Sequence, residues 1–338
     1  MAKIIKHIVK LGLPFALGLS ILWWMYRDAD WTRLFYTVRT MHWEWMAFSM
    51  AFGVVPQVLR ALRWRMTLAP LGERPRRRTC VDAVFLSYAA SLVVPRIGEV
   101  TRCGTLRQYD GTSFPRALGT VVTERAVDSV VLLLFTGVAF LIQLPMLSRF
   151  LQQTGTDLGS LFSRFTSTGY VVTAVCLLAA GIAAAALLSR LSAFSRAKGV
   201  FLNLWAGIVS LRSVRSVPLY VAYSVGIWLS YYLHFYLTFF CFDFTSHLNP
   251  GMALAVFCVG SFAVLVPTPN GAGPWHFAVK TMLVLYGVAG SLAADFALVV
   301  HTLQTMLIVV LGVYALIDLL FIRRLRPDTT DGTAPSYT

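Results

Sequence analysis

Long apolar runs separated by short, mostly basic loops constrain this chain more than any other feature. Six of them, at about residues 5–26, 45–66, 117–142, 169–189, 219–241 and 296–322, are long enough to cross a bilayer, where about 20 helical residues span the hydrocarbon. Over 338 residues, 57% are hydrophobic and only 13% are charged, and mean hydropathy is +0.68. That charge is too little to cover the surface of a soluble protein this long. The chain reads as an all-α integral membrane protein, because a helix satisfies its own backbone hydrogen bonds where water cannot.

Two further apolar segments, near 83–95 and 253–267, are shorter and end at Pro95 and Pro267. Each is followed by polar and charged residues: SLVVPRIGEVTR at 91–102 and FAVLVPTPNGAGPWHFAVK at 262–280. Runs of this length suit hairpins that enter the membrane and return to their own side. Simple termination of two ordinary spans by Pro and Gly is the competing interpretation.

Loop charge favours the hairpins. The basic segments are the N-terminus (Lys3, Lys6, Lys10), 67–82 with four Arg, 190–217 with no acid, and the end starting at Arg323. With about six transmembrane helices plus two re-entrant helical hairpins, every basic segment falls in the cytoplasm, as the positive-inside rule requires. Both termini are then cytoplasmic. The first span ends in Trp23, Trp24 and Tyr26, an interfacial belt, and is read as retained rather than cleaved. Each half reads span, span, hairpin, span in opposite orientation, an inverted-topology repeat with halves at about 5–142 and 169–322. Residues 1–325 form one membrane domain and 326–338 a polar tail. Paired interrupted segments of this kind point to a transporter's midplane site.

The residues behind the breaks carry the candidate chemistry. Pro95 and Gly98 break the first segment, and Pro267, Pro269, Gly271 and Gly273 the second. A helix restarting after a break directs its N-terminal N–H groups at anions. Arg96, Glu99 and Arg102 recur every three residues and could share one side of that helix. In the third span Glu124 and Asp128 are four apart, with Arg125 beside them. Charges in a span face the bundle interior, paired or wetted, so Glu124 or Asp128 is expected to pair with Arg96 or Arg102. An ion cluster that only locks the hairpin in place is the alternative. Arg60, Arg63 and Arg65 end the second span; Arg60 and Arg63 could approach a lipid phosphate, but snorkelling anchors at the cytoplasmic surface are the commoner explanation. Around the second break, Asn270, His276 and Lys280 add polar groups. His301 and Gln304 in the last span could face the same cavity, whereas His234 reads as a satisfied interhelical hydrogen bond.

Several functions are not expected. The net charge of +14 lies in short loops, where it sets orientation and meets anionic lipid, so no nucleic-acid partner is expected. The five cysteines are scattered, with no CxxC and no His at ligand spacing, so neither a metal nor another cofactor is implied. No nucleotide-phosphate loop or metal-carboxylate cluster suggests an enzyme.

The segments ALRWRMTLAPLG, SLVVPRIGEVTRCGTLRQYDGTSFPRALGTVVTERAVD and VLVPTPNGAGPWHFAV resemble the flippase-like transmembrane region of lysylphosphatidylglycerol synthases over about residues 5–325. The resemblance implies movement of a lipid between leaflets, with Pro95, Arg96, Gly98, Glu99, Arg102, Glu124, Arg125 and Asp128 lining or bracing its path. In those synthases the region is joined to a soluble aminoacyltransferase; with only a short polar tail after Arg326, no such domain is expected here. Family members commonly carry Glu after the second break and Arg in the last span, where this chain has His276 and His301. That departure speaks against lysylphosphatidylglycerol itself as the headgroup.

The expected function is transfer of a phosphate-containing or other polar-headgroup lipid across the bacterial cytoplasmic (inner) membrane. The membrane lipid is the expected partner, with a lipid-synthesis enzyme acting in trans as a second candidate. A membrane-embedded transferase using a lipid-linked donor, or a non-catalytic subunit of a lipid-synthesis complex, are the alternatives.

Overall fold

A computed structural model describes residues 15–27, 29–95, 97–153, 214–266 and 268–322. The described residues are helical, with no strand among them. Arg96, Pro267, the expected span at 169–189 and both chain ends lie outside them.

Helices α1 (Phe15–Tyr26) and α2 (Trp31–Thr40) lead into α3 (Trp43–Leu68). The first hairpin is α4 (Arg77–Val93) and α5 (Gly98–Asp110), followed by the long α6 (Phe114–Gln153). Helix α7 (Val217–Tyr236) precedes the second hairpin, α8 (Pro250–Ala263) and α9 (Pro274–Leu285), and the chain continues into α10 (Gly290–Phe321). Among the described residues, three helices are long and apolar enough to cross a membrane: Trp43–Leu71, Phe114–Leu144 and Gly290–Phe321. Their outward side chains are apolar, as with Leu133, Leu134 and Leu141 on α6 and Leu316, Ile317 and Leu320 on α10. Apolar outside and polar inside is the arrangement a lipid solvent demands.

Between the first two apolar runs, residues 27–44 balance three Arg against three acids and contain α2. Asp30 caps it by accepting from the Arg33 N–H at 3.1 Å, the usual role of an N-cap carboxylate. Trp31, Phe35 and Tyr36 are exposed on it, an aromatic set suited to the membrane interface.

Both interrupted segments fold as helical hairpins. The longest limb, α4, has 17 residues, about 25 Å at the α-helical rise, and the other three are shorter. None reaches the roughly 30 Å of a hydrocarbon core. Val94 ends α4 in extended conformation, as a residue before proline prefers. Gly98 then permits the limbs to close: a Cβ there would overlap the Ser87 carbonyl oxygen and Ser91 Oγ. In the second tip Asn270, Gly271 and Gly273 all adopt positive φ, and Pro274 opens α9 at its first turn, where its missing N–H costs nothing.

Contacts along α10 give the hairpins their direction. At its C-terminal end Arg78, at the base of α4, pairs with Asp318. Nearer the middle, Phe85 meets Tyr314 at 6.3 Å and Ala89 packs on Gly312. The second tip follows, with Asn270 Nδ2 donating to Thr305 Oγ1 at 2.9 Å. The base of the second hairpin joins the N-terminal end of α10, where Arg33 pairs with Asp295 at 2.7 Å. The two hairpins therefore point at each other from opposite ends of one helix.

Candidate functional site

Four helices bring a sealed ionic cluster together beside the first hairpin. Asp128 on α6 accepts from Arg60 Nη1 at 2.6 Å and from Arg63 Nη2 at 2.7 Å. Arg63 Nη1 also donates to Ser224 Oγ on α7 at 3.0 Å, and its Nε lies 3.6 Å from Glu124. Arg102 on α5 meets the other Glu124 oxygen at 2.9 Å and stacks over Trp64 at 4.6 Å. Trp64 is in turn held by Thr120 Oγ1 at 2.9 Å. Arg63 and Glu124 are fully enclosed, and Arg60, Arg102 and Asp128 are buried.

Three guanidiniums thus face two carboxylates, and arginine stays protonated in proteins. The cluster carries one surplus positive charge. Arg60 Nε, Arg63 Nε, Arg102 Nε and Arg102 Nη2 are buried donors with no hydrogen-bond partner, and the acceptors Gln57 Oε1, one turn from Arg60, and both Glu124 oxygens are likewise without one. Tyr88 and Tyr231 bond each other at 2.8 Å alongside. A cavity of about 880 Å³ opens at the C-terminal end of α3, lined by Arg65, Arg74, Arg77 and Arg215 against Glu73. Tyr223 on its wall neighbours Ser224 in the chain.

The expected pairing holds for Arg102 and Glu124 and changes for Asp128, which pairs with Arg60 and Arg63 instead of the hairpin. Those two arginines are not surface anchors. They lie three apart on the face of α3 turned to α6, so both reach one carboxylate. Arg65 faces away, donating to the Pro75 carbonyl at 2.9 Å. Glu99 and Arg125 pair with each other at 2.8 Å, half-exposed, and do not enter the cluster. Arg125 follows Glu124 in the helix and so points about 100° away from it.

The second tip holds a polar set. Asn270, His276 and His301 come together as the sequence suggested, with imidazole centroids 4.4 Å apart. His276 Nδ1 accepts from the Gly273 N–H at 3.3 Å. His301 Nε2 donates to the Asn270 carbonyl at 3.1 Å. The Gly273 N–H leaves His276 Nδ1 unprotonated, and the Asn270 carbonyl places a proton on His301 Nε2. Gln304 Nε2 and Thr268 Oγ1 are buried nearby in the chain without partners. Lys280 lies apart from this set, lining a cavity of about 380 Å³ with Tyr26, Arg33 and Asp295. His234 is the interhelical link expected of it, its Nδ1 donating to the Ser49 carbonyl at 2.6 Å.

Gln57, Ser224 and the Tyr88–Tyr231 pair were not singled out from sequence. Gln57 was the most legible of them, since it precedes Arg60 by one helical turn on the same face.

No group of three or more potential metal ligands occurs among the described residues. No curated protein and no solved structure matches the chain. The model of one family, described as the lysylphosphatidylglycerol synthase TM region, matches residues 11–312. An all-helical multi-pass architecture, two opposed hairpins and a match over most of the length agree: the chain belongs to the lysylphosphatidylglycerol synthase transmembrane-region family, whose work concerns membrane lipid.

Proposed function

We propose that the protein is a lipid transporter that moves a lipid with an anionic, phosphate-bearing headgroup between leaflets. The observation that carries this reading is the buried ionic cluster with its surplus positive charge and unpartnered guanidinium donors. Guanidiniums match phosphate oxygens in pairs and hold them most strongly away from water. The headgroup enters through the arginine-lined cavity and reaches Arg102 and Arg60, while its acyl chains stay against the apolar outer faces of the helices. Opposed hairpins provide the means of opening one side at a time. The Asn270, His276 and His301 set offers hydrogen bonds without a fixed charge, so an anion passing it is handed on rather than trapped.

In this reading the protein is a carrier and not an enzyme. It sits in the bacterial cytoplasmic membrane with both termini inside, the orientation that places the basic loops in the cytoplasm. Labelling of a terminal cysteine by an impermeant reagent outside intact cells would reverse that orientation. A lipid-synthesis enzyme acting in trans would supply the substrate.

Purified protein in vesicles carrying fluorescent phosphatidylglycerol tests the function. Dye accessible to an external quencher should equilibrate between leaflets with no new lipid formed, and Arg102→Ala should reduce the rate at least tenfold while the protein stays folded. Formation of a new covalent lipid would replace this reading with a transferase. Unchanged transport in Arg102→Ala would remove the cluster from the path.

A further inference from the structure

We propose that Asp82 and Asp318 form a proton-binding site, sharing one proton between the base of the first hairpin and the last helix. Asp82 is 1% exposed and Asp318 8% exposed. Arg78 takes both oxygens of Asp318, donating from Nε to Oδ2 at 2.6 Å and from Nη2 to Oδ1. Asp82, one turn along α4 from Arg78, lies within hydrogen-bonding reach of Asp318. Its Oδ2 has no partner. Among the described residues the pair therefore has two carboxyl groups and one guanidinium, and that guanidinium is committed to Asp318.

Two carboxyls in contact do not both ionise without a second cation, because repulsion at that distance exceeds the cost of binding one proton. A single proton converts the repulsion into an O–H···O hydrogen bond, with the Asp82 hydroxyl donating to the Asp318 carboxylate. The other titratable groups facing the pair are Arg78 and Cys80 on α4 and Tyr314 on α10. Glu124, Asp110 and Arg65 face Cys80 from α6, α5 and α3. None supplies Asp82 with a second cation. The Arg78 side chain is 62% exposed, so the proton has a route from water at that end of the molecule.

The pair joins the two elements whose separation would open the first hairpin. With the proton bound, α4 is held to α10; with it released, two adjacent negative charges push the base of the hairpin away. Because α5 packs closely on α4 at Gly98, a displacement of α4 would carry Arg102 with it, which links the proton to the position of Arg102. That link to lipid movement rests on the transport reading, whereas the proton site itself does not.

Infrared spectroscopy of the full-length protein in lipid nanodiscs reads the proton directly. The wild type should show a protonated-carboxyl C=O band that is lost as pH is raised, and Asp82→Asn and Asp318→Asn should each abolish it. Glu99→Gln, at an exposed ion pair, should leave it in place. In the vesicle assay Asp82→Asn should flatten the pH dependence of transfer. Absence of a titrating band in the wild type, or its persistence in both Asn variants, would overturn the proton site even if lipid moves normally. A band that behaves as expected in a protein that moves no lipid would leave the proton site standing and remove the transport reading.

Discussion

The two hairpins share a build and differ in what surrounds their inner ends. Both have limbs too short to cross the membrane, both break at Pro and Gly, and both point at the middle of α10. The first is bordered by five buried charges, held by α3, α5 and α6. The second holds two imidazoles and an asparagine. A common architecture thus presents two chemistries, one built on buried paired charge and one on hydrogen bonds. For the carrier proposed above, that inequality would let a headgroup leave the first tip and pass the second.

The contrast can be broken most severely at Asp128. Asp128→Ala leaves Arg60 and Arg63 buried without their main counter-ion and should cost about 3–5 kcal/mol, read as a large drop in unfolding temperature in nanodiscs. Adding Arg60→Met and Arg63→Met to that variant should restore much of the loss, because the stranded charges are then gone. An Asp128→Ala protein as stable as wild type would show that another anion neutralises these arginines.

Closure of the first hairpin is the next most sensitive feature. Gly98→Ala should destabilise by about 1–3 kcal/mol, since the new methyl group meets the backbone of the facing limb. Gly104→Ala on the same helix meets nothing within 4 Å and should stabilise by up to about 1 kcal/mol through helix propensity alone. Equal effects of the two substitutions on thermal stability would mean that the limbs do not touch at Gly98.

A smaller effect is expected at the second tip. His301→Ala removes the hydrogen bond to the Asn270 carbonyl and a long one, at 3.5 Å, with Thr305 Oγ1, and should cost about 0.5–1.5 kcal/mol. The substitutions His276→Ala and His301→Ala should be non-additive in a double-mutant cycle of unfolding free energies, because the rings touch. Strict additivity would separate the two rings.

Smallest of all is Glu99→Gln. The Glu99–Arg125 pair is half-exposed and such pairs contribute about 0–1 kcal/mol. A loss of several kcal/mol in denaturant unfolding would place this pair inside the protein after all.

Much of this organisation is legible without coordinates. Composition sets the solvent, run length separates spans from hairpins, and a carboxylate inside an apolar run announces a buried partner. Arg102 with Glu124, and Asn270 with His276 and His301, follow from that logic. The pairing of Asp128 does not, because arginine near the end of a span suits a surface anchor and a buried ion pair equally well. Nor does α2: its charges balance, and its amphipathic character depends on an interface that loop counting ignores.

The order of residues by itself determined that this protein lives in lipid, where its chain must break, and which polar groups would need company there. Those are consequences of hydropathy and backbone geometry, which act locally. Only the tertiary structure decided which arginine answers which carboxylate, that one positive charge is left over, and that Asp82 is placed against Asp318. A side chain's partner depends on the rotation of each helix about its axis and on the neighbour packed against it, and no run of sequence encodes either alone.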